Sequence, residues 1–182
     1  TCVYCNRIYT KTVVSGSGKK ITRPTFDHWY SQSKYPLLAL SFYNLIPSCS
    51  ICNSGVKGSV PFELSTHFHP YYKHPVNSLD YKFSYIHKGL RKFTFKINTS
   101  NSFSKTSVKA FELEEIFKAH EDEILDLIRI KEAYSSRYIE ILEANILKHV
   151  PVNKNEIYRL AFGVYFDEND FDRRPLSKMK KD

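Results

Sequence analysis

Acidic side chains are almost missing from the first sixty residues, where Asp27 stands alone against seven lysines and arginines. The net charge there is +6. Residues 61–110 hold eight basic residues against Glu63 and Asp80, again +6. Only residues 111–182 reverse the balance, with sixteen acids against twelve basic residues. The first two segments can face a polyanion, and the last suits a scaffold or a protein contact. Long hydrophobic runs are also missing. No apolar stretch approaches the roughly 18 residues of a membrane span and no secretory h-region is visible; the expected location is the cytoplasm, with no membrane partner. Thr1 is not an initiator methionine, so a lost upstream peptide stays open. There is no internal repeat. Disorder is excluded by 42% hydrophobic and 15% aromatic residues over a length sufficient for one domain with a real core.

Cysteine is absent outside two C-x-x-C pairs, Cys2/Cys5 and Cys49/Cys52, with 43 residues between them. One such pair alone reads as a redox motif. Two read better as a single zinc site with four thiolate ligands, the long spacing implying an insertion between two knuckles. The disulfide alternative needs an oxidising compartment, of which there is no sign.

The chain divides into a zinc-supported core (1–60), an irregular segment with a β-hairpin (61–110) and a helical C-terminal subdomain (111–182), an α+β protein. After the first knuckle, Tyr9–Val14 and Lys19–Phe26 flank Ser15-Gly16-Ser17-Gly18 as a hairpin. Residues 29–47 read as a loop whose Leu37, Leu38, Leu40, Phe42, Tyr43, Leu45 and Ile46 supply a buried lining. A short helix is expected over about 49–57, ended by Gly58. Residues 81–88 and 92–97 alternate at period two around Gly89-Leu90, a second hairpin packed through Tyr81, Phe83, Tyr85, Phe93 and Phe95. Residues 98–109 read as a polar loop. Apolar residues at 3/4 spacing predict helix over 111–149, with a break near Ser135-Ser136, His120 in the core and Pro151 as the stop. A further helix covers 154–162, and 164–182 reads mostly as loop. His67, His69 and His74, in a Pro-containing stretch, read as packing or hydrogen-bonding residues.

Threaded through the cysteines is a set of polar residues: Asp27-His28, fifteen residues, Asn44, eight residues, Asn53, and Lys57 four residues on. This pattern resembles the HNH endonuclease family in its zinc-knuckle form, in a variant with Asn as the third motif residue. The resemblance covers about residues 1–60. It implies a ββα-metal core and hydrolysis of phosphodiesters to a 5′-phosphate and a 3′-hydroxyl. His28 would be the general base, imidazole being suited by its near-neutral ordinary pKa. Asp27 and Asn53 would hold a catalytic ion, and an oxygen-only pair favours Mg²⁺ or Mn²⁺ over zinc. Asn44 would pin the loop that orients His28. Lys57 is assigned to phosphate, since an ammonium is a poor metal ligand. Arg7, Lys19, Lys20, Arg23 and Lys34 are further phosphate-contact candidates. His69-Pro70-Tyr71 also matches related sequences, keeping a DNA contact open there.

DNA is the favoured substrate, with RNA not excluded, and no base-reading element is evident. The Cys-x-Tyr-Cys-Asn-Arg start and Arg-Pro-Leu-Ser-Lys ending resemble HNH proteins of bacterial antiviral defence operons of the Septu and retron-associated type, where the nuclease is paired with an ATPase. The acidic helices of 111–149 are the expected docking surface. Two rivals remain: a non-catalytic zinc module that binds nucleic acid or protein, and a cysteine hydrolase, the latter poor because zinc uses all four thiolates.

Overall fold

The computed structural model describes residues 1–72, 79–90, 92–141, 144–145 and 153–182. The expectations for His74, Leu142, Ile146 and Pro151 lie outside the described residues. Among the described residues the fold is mixed α+β, with three separate two-stranded antiparallel sheets and several helices. Among the described residues no helix is long and apolar enough to cross a membrane.

After the first knuckle, β1 (Val13–Val14) pairs with β2 (Lys20–Thr22) across the Ser15–Gly18 turn, where Gly18 takes φ +80°. The chain then enters β3 (Thr25–His28), which pairs with β4 (Leu45–Ser48). Asp27 lies opposite Ile46, and His28 opposite Leu45. Residues 29–47 are therefore not all loop. Ile46 and Ser48 point inward while Pro47 sits in a two-stranded sheet with no further neighbour that would need its missing N–H. The expected lining is likewise corrected. Only Ile46 is buried, while Leu37 and Leu40 are 96% and 93% exposed, because the short 3₁₀ turns Pro36–Leu38 and Phe42–Asn44 run over the surface.

The second knuckle opens a π-helix, Ile51–Lys57. Gly58 ends it at φ +49°, its N–H reaching back five residues to the Asn53 carbonyl at 2.9 Å. β5 (Tyr81–Gly89) and β6 (Lys92–Thr99) form the second hairpin, with Tyr81, Phe83, Phe95 and Ile97 buried and Tyr85 exposed.

The polar stretch 98–109 is not a loop but carries helix α1 (Ser102–Ala110). Asn101 caps it by accepting from the Ser104 N–H at 2.7 Å. Its buried hydroxyls serve neighbouring backbone: Ser104 accepts from the Asp80 N–H and Ser107 from the Phe68 N–H. Polarity here is spent on tertiary hydrogen bonds rather than on solvent. α2 (Leu113–Lys118), α3 (Glu121–Ala133) and α4 (Ser136–Ile141) follow, so the expected helix starts only after Glu112, which takes φ +46°, and is broken at Ala119-His120 as well as at Ser135. α5 (Lys154–Phe162) starts at an Asn153/Glu156 capping box and ends at Gly163, φ +70°. The tail is more ordered than loop. It forms a 3₁₀ turn, Glu168–Arg173, and α6 (Ser177–Lys181), and it closes on the first knuckle, the Leu176 N–H donating to the Asn6 carbonyl at 2.7 Å.

The three sequence segments contribute to one buried cluster that includes Tyr4, Trp29, Phe62, Phe83, Phe111, Phe117 and Met179. Three histidines belong to its margin. The His67 ring lies flat on Phe62 at 4.2 Å, and His69 packs on Trp29 at 4.5 Å. His120 Nε2 accepts from Arg7 Nε at 2.8 Å. Burial pushes all three below the ordinary imidazole pKa of 6.5, and the Arg7 charge adds to the effect at His120. The folded state therefore favours the neutral rings. As pH falls through about 6.5 the unfolded chain takes up more protons, and stability drops. Thermal melts with excess zinc are expected to hold steady above neutrality and to fall steadily below about pH 6.5; a midpoint constant across that window would refute the assignment.

Candidate functional site

The two knuckles converge. The Sγ atoms of Cys2, Cys5, Cys49 and Cys52 all lie within 4.8 Å of one another, all are buried and none is in a disulfide. Cys5 and Cys49 sulfurs are 3.9 Å apart. A tetrahedral zinc with Zn–S of about 2.3 Å separates its sulfurs by about 3.8 Å, so the cluster fits that ion. The Cys49 N–H points to Cys2 Sγ and the Cys52 N–H to Cys49 Sγ, both at 3.4 Å, the support a thiolate needs. Hydrogen bonds from Cys49, Cys5 and Cys52 pull the Cys2 thiol far below its ordinary range. Its own bond to Cys5 and to Cys52 pushes those two up. Four thiolates would share this volume only around a cation, so the buried, closely spaced sulfurs are compatible with a structural zinc.

Beside it opens a cleft of about 630 Å³ lined by residues that include Asp27, His28, Ser31, Asn53 and Ser59. Asp27 and His28 arrive on β3, and Asn53 on the π-helix. Neighbouring positions of that helix divide the work: Cys52 is fully buried with the thiols, whereas Asn53 is half-exposed on the cleft. His28 Nε2 lies 3.1 Å from the Ala39 carbonyl. A carbonyl only accepts, so Nε2 carries the proton and Nδ1 keeps a free lone pair. Asn44 is buried and clamps the intervening loop. Its Oδ1 accepts from the Tyr30 N–H at 2.6 Å, and its Nδ2 donates to the Tyr30 and Leu38 carbonyls at 3.1 and 3.0 Å.

Asp27 is 1% exposed and shared. Tyr4 Oη donates to Oδ2 at 2.7 Å, and Lys57 Nζ to Oδ1 at 2.9 Å. The same ammonium donates to the His28 carbonyl at 2.7 Å and lies 4.9 Å over the Phe62 ring. This overturns the phosphate assignment of Lys57. Its head is buried in an ion pair beneath the strand and does not face a ligand. Asp27 and Asn53 are oxygen donors of the type a hard cation takes, but both Asp27 oxygens already accept hydrogen bonds and Lys57 balances its charge. Tyr4 had no role in the sequence reading. Its one signal is its place between the two cysteines of the first knuckle, where a buried ring leaves its hydroxyl to find a polar partner.

The remaining basic candidates separate. Arg7 is tied by Nε to His120 and stacks over Phe117 at 5.8 Å, so it staples the first knuckle to the helices rather than waiting for phosphate. Lys34 is exposed and reaches Glu63 at 3.5 Å, a weak surface pair. Lys19, Lys20 and Arg23 are exposed on or beside the β1–β2 ribbon. Comparison of the chain with protein-family models, with curated proteins and with solved structures gives no match.

Metal analysis of the purified protein is expected to find about one zinc per chain. Cys52→Ser should lose both the zinc and the cooperative melt; a variant that keeps its zinc would sink the four-thiolate site. Lys57→Met is expected to cost about 3–5 kcal/mol in denaturant unfolding, because it strands a buried carboxylate. Adding Asp27→Asn should recover most of that loss, and equal stability of the single and double variants would show that the pair is not coupled.

Proposed function

We propose that this chain is a metal-dependent endonuclease of the HNH type, built on a zinc-stabilised ββα-metal core and acting on DNA. The observation that supports this most directly is the cleft itself. A carboxylate and an imidazole from adjacent positions of β3 and an amide from the π-helix 25 residues on line one opening, and the imidazole keeps Nδ1 free to accept a proton. The β3–β4 pair followed by the π-helix has the strand, strand, helix order that such a core requires.

In this reading Asp27 and Asn53 hold a Mg²⁺ or Mn²⁺ ion, which supplies neutralisation of the phosphate charge. His28 Nδ1 takes a proton from water as the water oxygen bonds to phosphorus. The bond from phosphorus to the 3′ oxygen breaks, and that oxygen leaves as the hydroxyl after gaining a proton from solvent. The products carry a 5′-phosphate and a 3′-hydroxyl. The Ala39 carbonyl fixes the tautomer of His28. Asn44 is its positioning residue, because it clamps the loop that contains Ala39. Lys57 and Tyr4 hold Asp27 in place from below.

The setting proposed with it is antiviral defence beside an ATPase, docked on the helices of 111–149. Glu114, Glu121 and Glu123 are engaged within the fold, by the Ile97 N–H, the Thr94 hydroxyl and Lys180 respectively. A partner would therefore meet exposed acids such as Asp122, Glu132 and Glu140. A chain that stays monomeric when mixed with the neighbouring ATPase and cuts DNA unaided would refute that setting. The buried Asp27–Lys57 pair favours a second reading, a non-catalytic zinc module in which Asp27 is purely structural.

Supercoiled-plasmid cleavage with EDTA, Mg²⁺ or Mn²⁺ separates the two. Cleavage is expected to need the divalent ion. His28→Ala should lose at least about 100-fold in rate while keeping its zinc, the scale of a lost general base. Undiminished cutting by His28→Ala would overturn the mechanism.

A further inference from the structure

The β1–β2 ribbon has no buried face. Every residue from Lys11 to Arg23 is exposed except Ser15, which is half-buried. Its apolar side chains Val13, Val14 and Ile21 are 47%, 51% and 62% open. A lone two-stranded hairpin is marginal in water and does not hold such side chains out for stability. It is shaped locally instead, by the Ser15 N–H to the Lys19 carbonyl at 2.8 Å and the Gly18 N–H to the Ser15 carbonyl at 2.9 Å. Lys11, Lys19, Lys20 and Arg23 make no ion pair among the described residues, and residues 1–26 contain no acid.

We infer that this ribbon is a groove-binding arm that selects duplex DNA over duplex RNA, an inference that rests on the nuclease reading and specifies its substrate. Four unpaired cations on an arm with no acid have charge complementarity to a polyanion and to little else. The shape then chooses among polyanions. The major groove of B-form DNA admits a two-stranded ribbon, whereas that of A-form RNA is deep and too narrow for one. The exposed valines and isoleucine suit the thymine methyl groups and the apolar parts of the groove wall. Position fits as well. The ribbon leads through Arg23 and Pro24 into β3, so His28 lies five residue steps from Arg23, at most about 17 Å at ~3.3 Å per residue. That is half of a helical turn of about 34 Å, so an arm in the groove sets the cleft against a phosphate of the same turn.

The test uses the full chain carrying His28→Ala, loaded with zinc, and measures fluorescence anisotropy with duplex DNA, duplex RNA of the same sequence and single-stranded DNA over a range of salt. Duplex DNA is expected to bind at least about tenfold tighter than either rival. Replacing Lys11, Lys19, Lys20 and Arg23 together by Gln should weaken duplex binding by tenfold or more and lower the slope of log affinity against log salt by about 3 to 4, some 0.9 per lost phosphate contact. Zinc content and melting midpoint should not change, because all four positions are exposed. Unchanged affinity and slope in that variant would overturn the arm and leave the nuclease reading standing. Equal binding of duplex RNA would overturn the groove argument. Failure of the parent to bind any of the three would overturn both.

Discussion

The carboxylate of Asp27 is buried with both of its oxygens in use, and the N-terminal third is arranged around it. Tyr4, which donates to one oxygen, stands between the two cysteines of the first knuckle. Lys57, which donates to the other, closes the helix that starts at the second. The two knuckles are therefore joined twice, through the sulfur cluster and through a strand residue. A charge in that position is tolerated only because its partners are fixed; with either removed, the desolvation cost is no longer offset. The same ammonium also holds the His28 carbonyl, so the support of the thiol cluster and the backbone of the cleft share one side chain.

Around that centre the core is largely aromatic. Tyr4 stacks on Phe111 at 4.1 Å, Phe111 meets Phe62, and Phe62 meets Trp29, whose indole N–H donates to the Phe68 carbonyl at 2.9 Å. The small first knuckle cannot be held by its own burial, and the C-terminal parts complete it. Asn6, at φ +52°, receives the Leu176 N–H on its carbonyl and donates from Nδ2 to the Phe171 carbonyl. Arg7 reaches His120 from the same turn. The helices and tail thus act as a brace for the zinc-type cluster, whatever else their outer faces do.

Charge is also distributed by structural use. Some acids of 111–182 are engaged within the fold: Glu114 accepts from the Ile97 N–H of the hairpin, and Glu123 pairs with Lys180 of α6. The basic residues of the first ribbon have no such partners among the described residues. Net charge alone does not separate these cases; neutralisation in three dimensions does.

Several features were legible in the chain itself because their causes are local. Two C-x-x-C pairs marked the thiol cluster, period-two alternation marked the 81–97 hairpin, and Gly58 and Gly163 marked helix ends that need positive φ. Asn153 with Glu156 starts a helix for reasons confined to four residues. Tertiary structure decided the rest. The Ser-rich segment at 101–110 became helix because its hydroxyls found backbone donors on distant residues. The leucines at 37 and 40 stayed outside because the turns that carry them run over the surface. The convergence of Asp27, His28 and Asn53 on one cleft depends on how β3 and the π-helix pack. The fate of Lys57 is the sharpest case. In sequence a lysine is a mobile cation at the surface, and only the folded chain brings it beneath the one carboxylate of the first sixty residues, where Coulomb attraction at low dielectric makes burial its stable place.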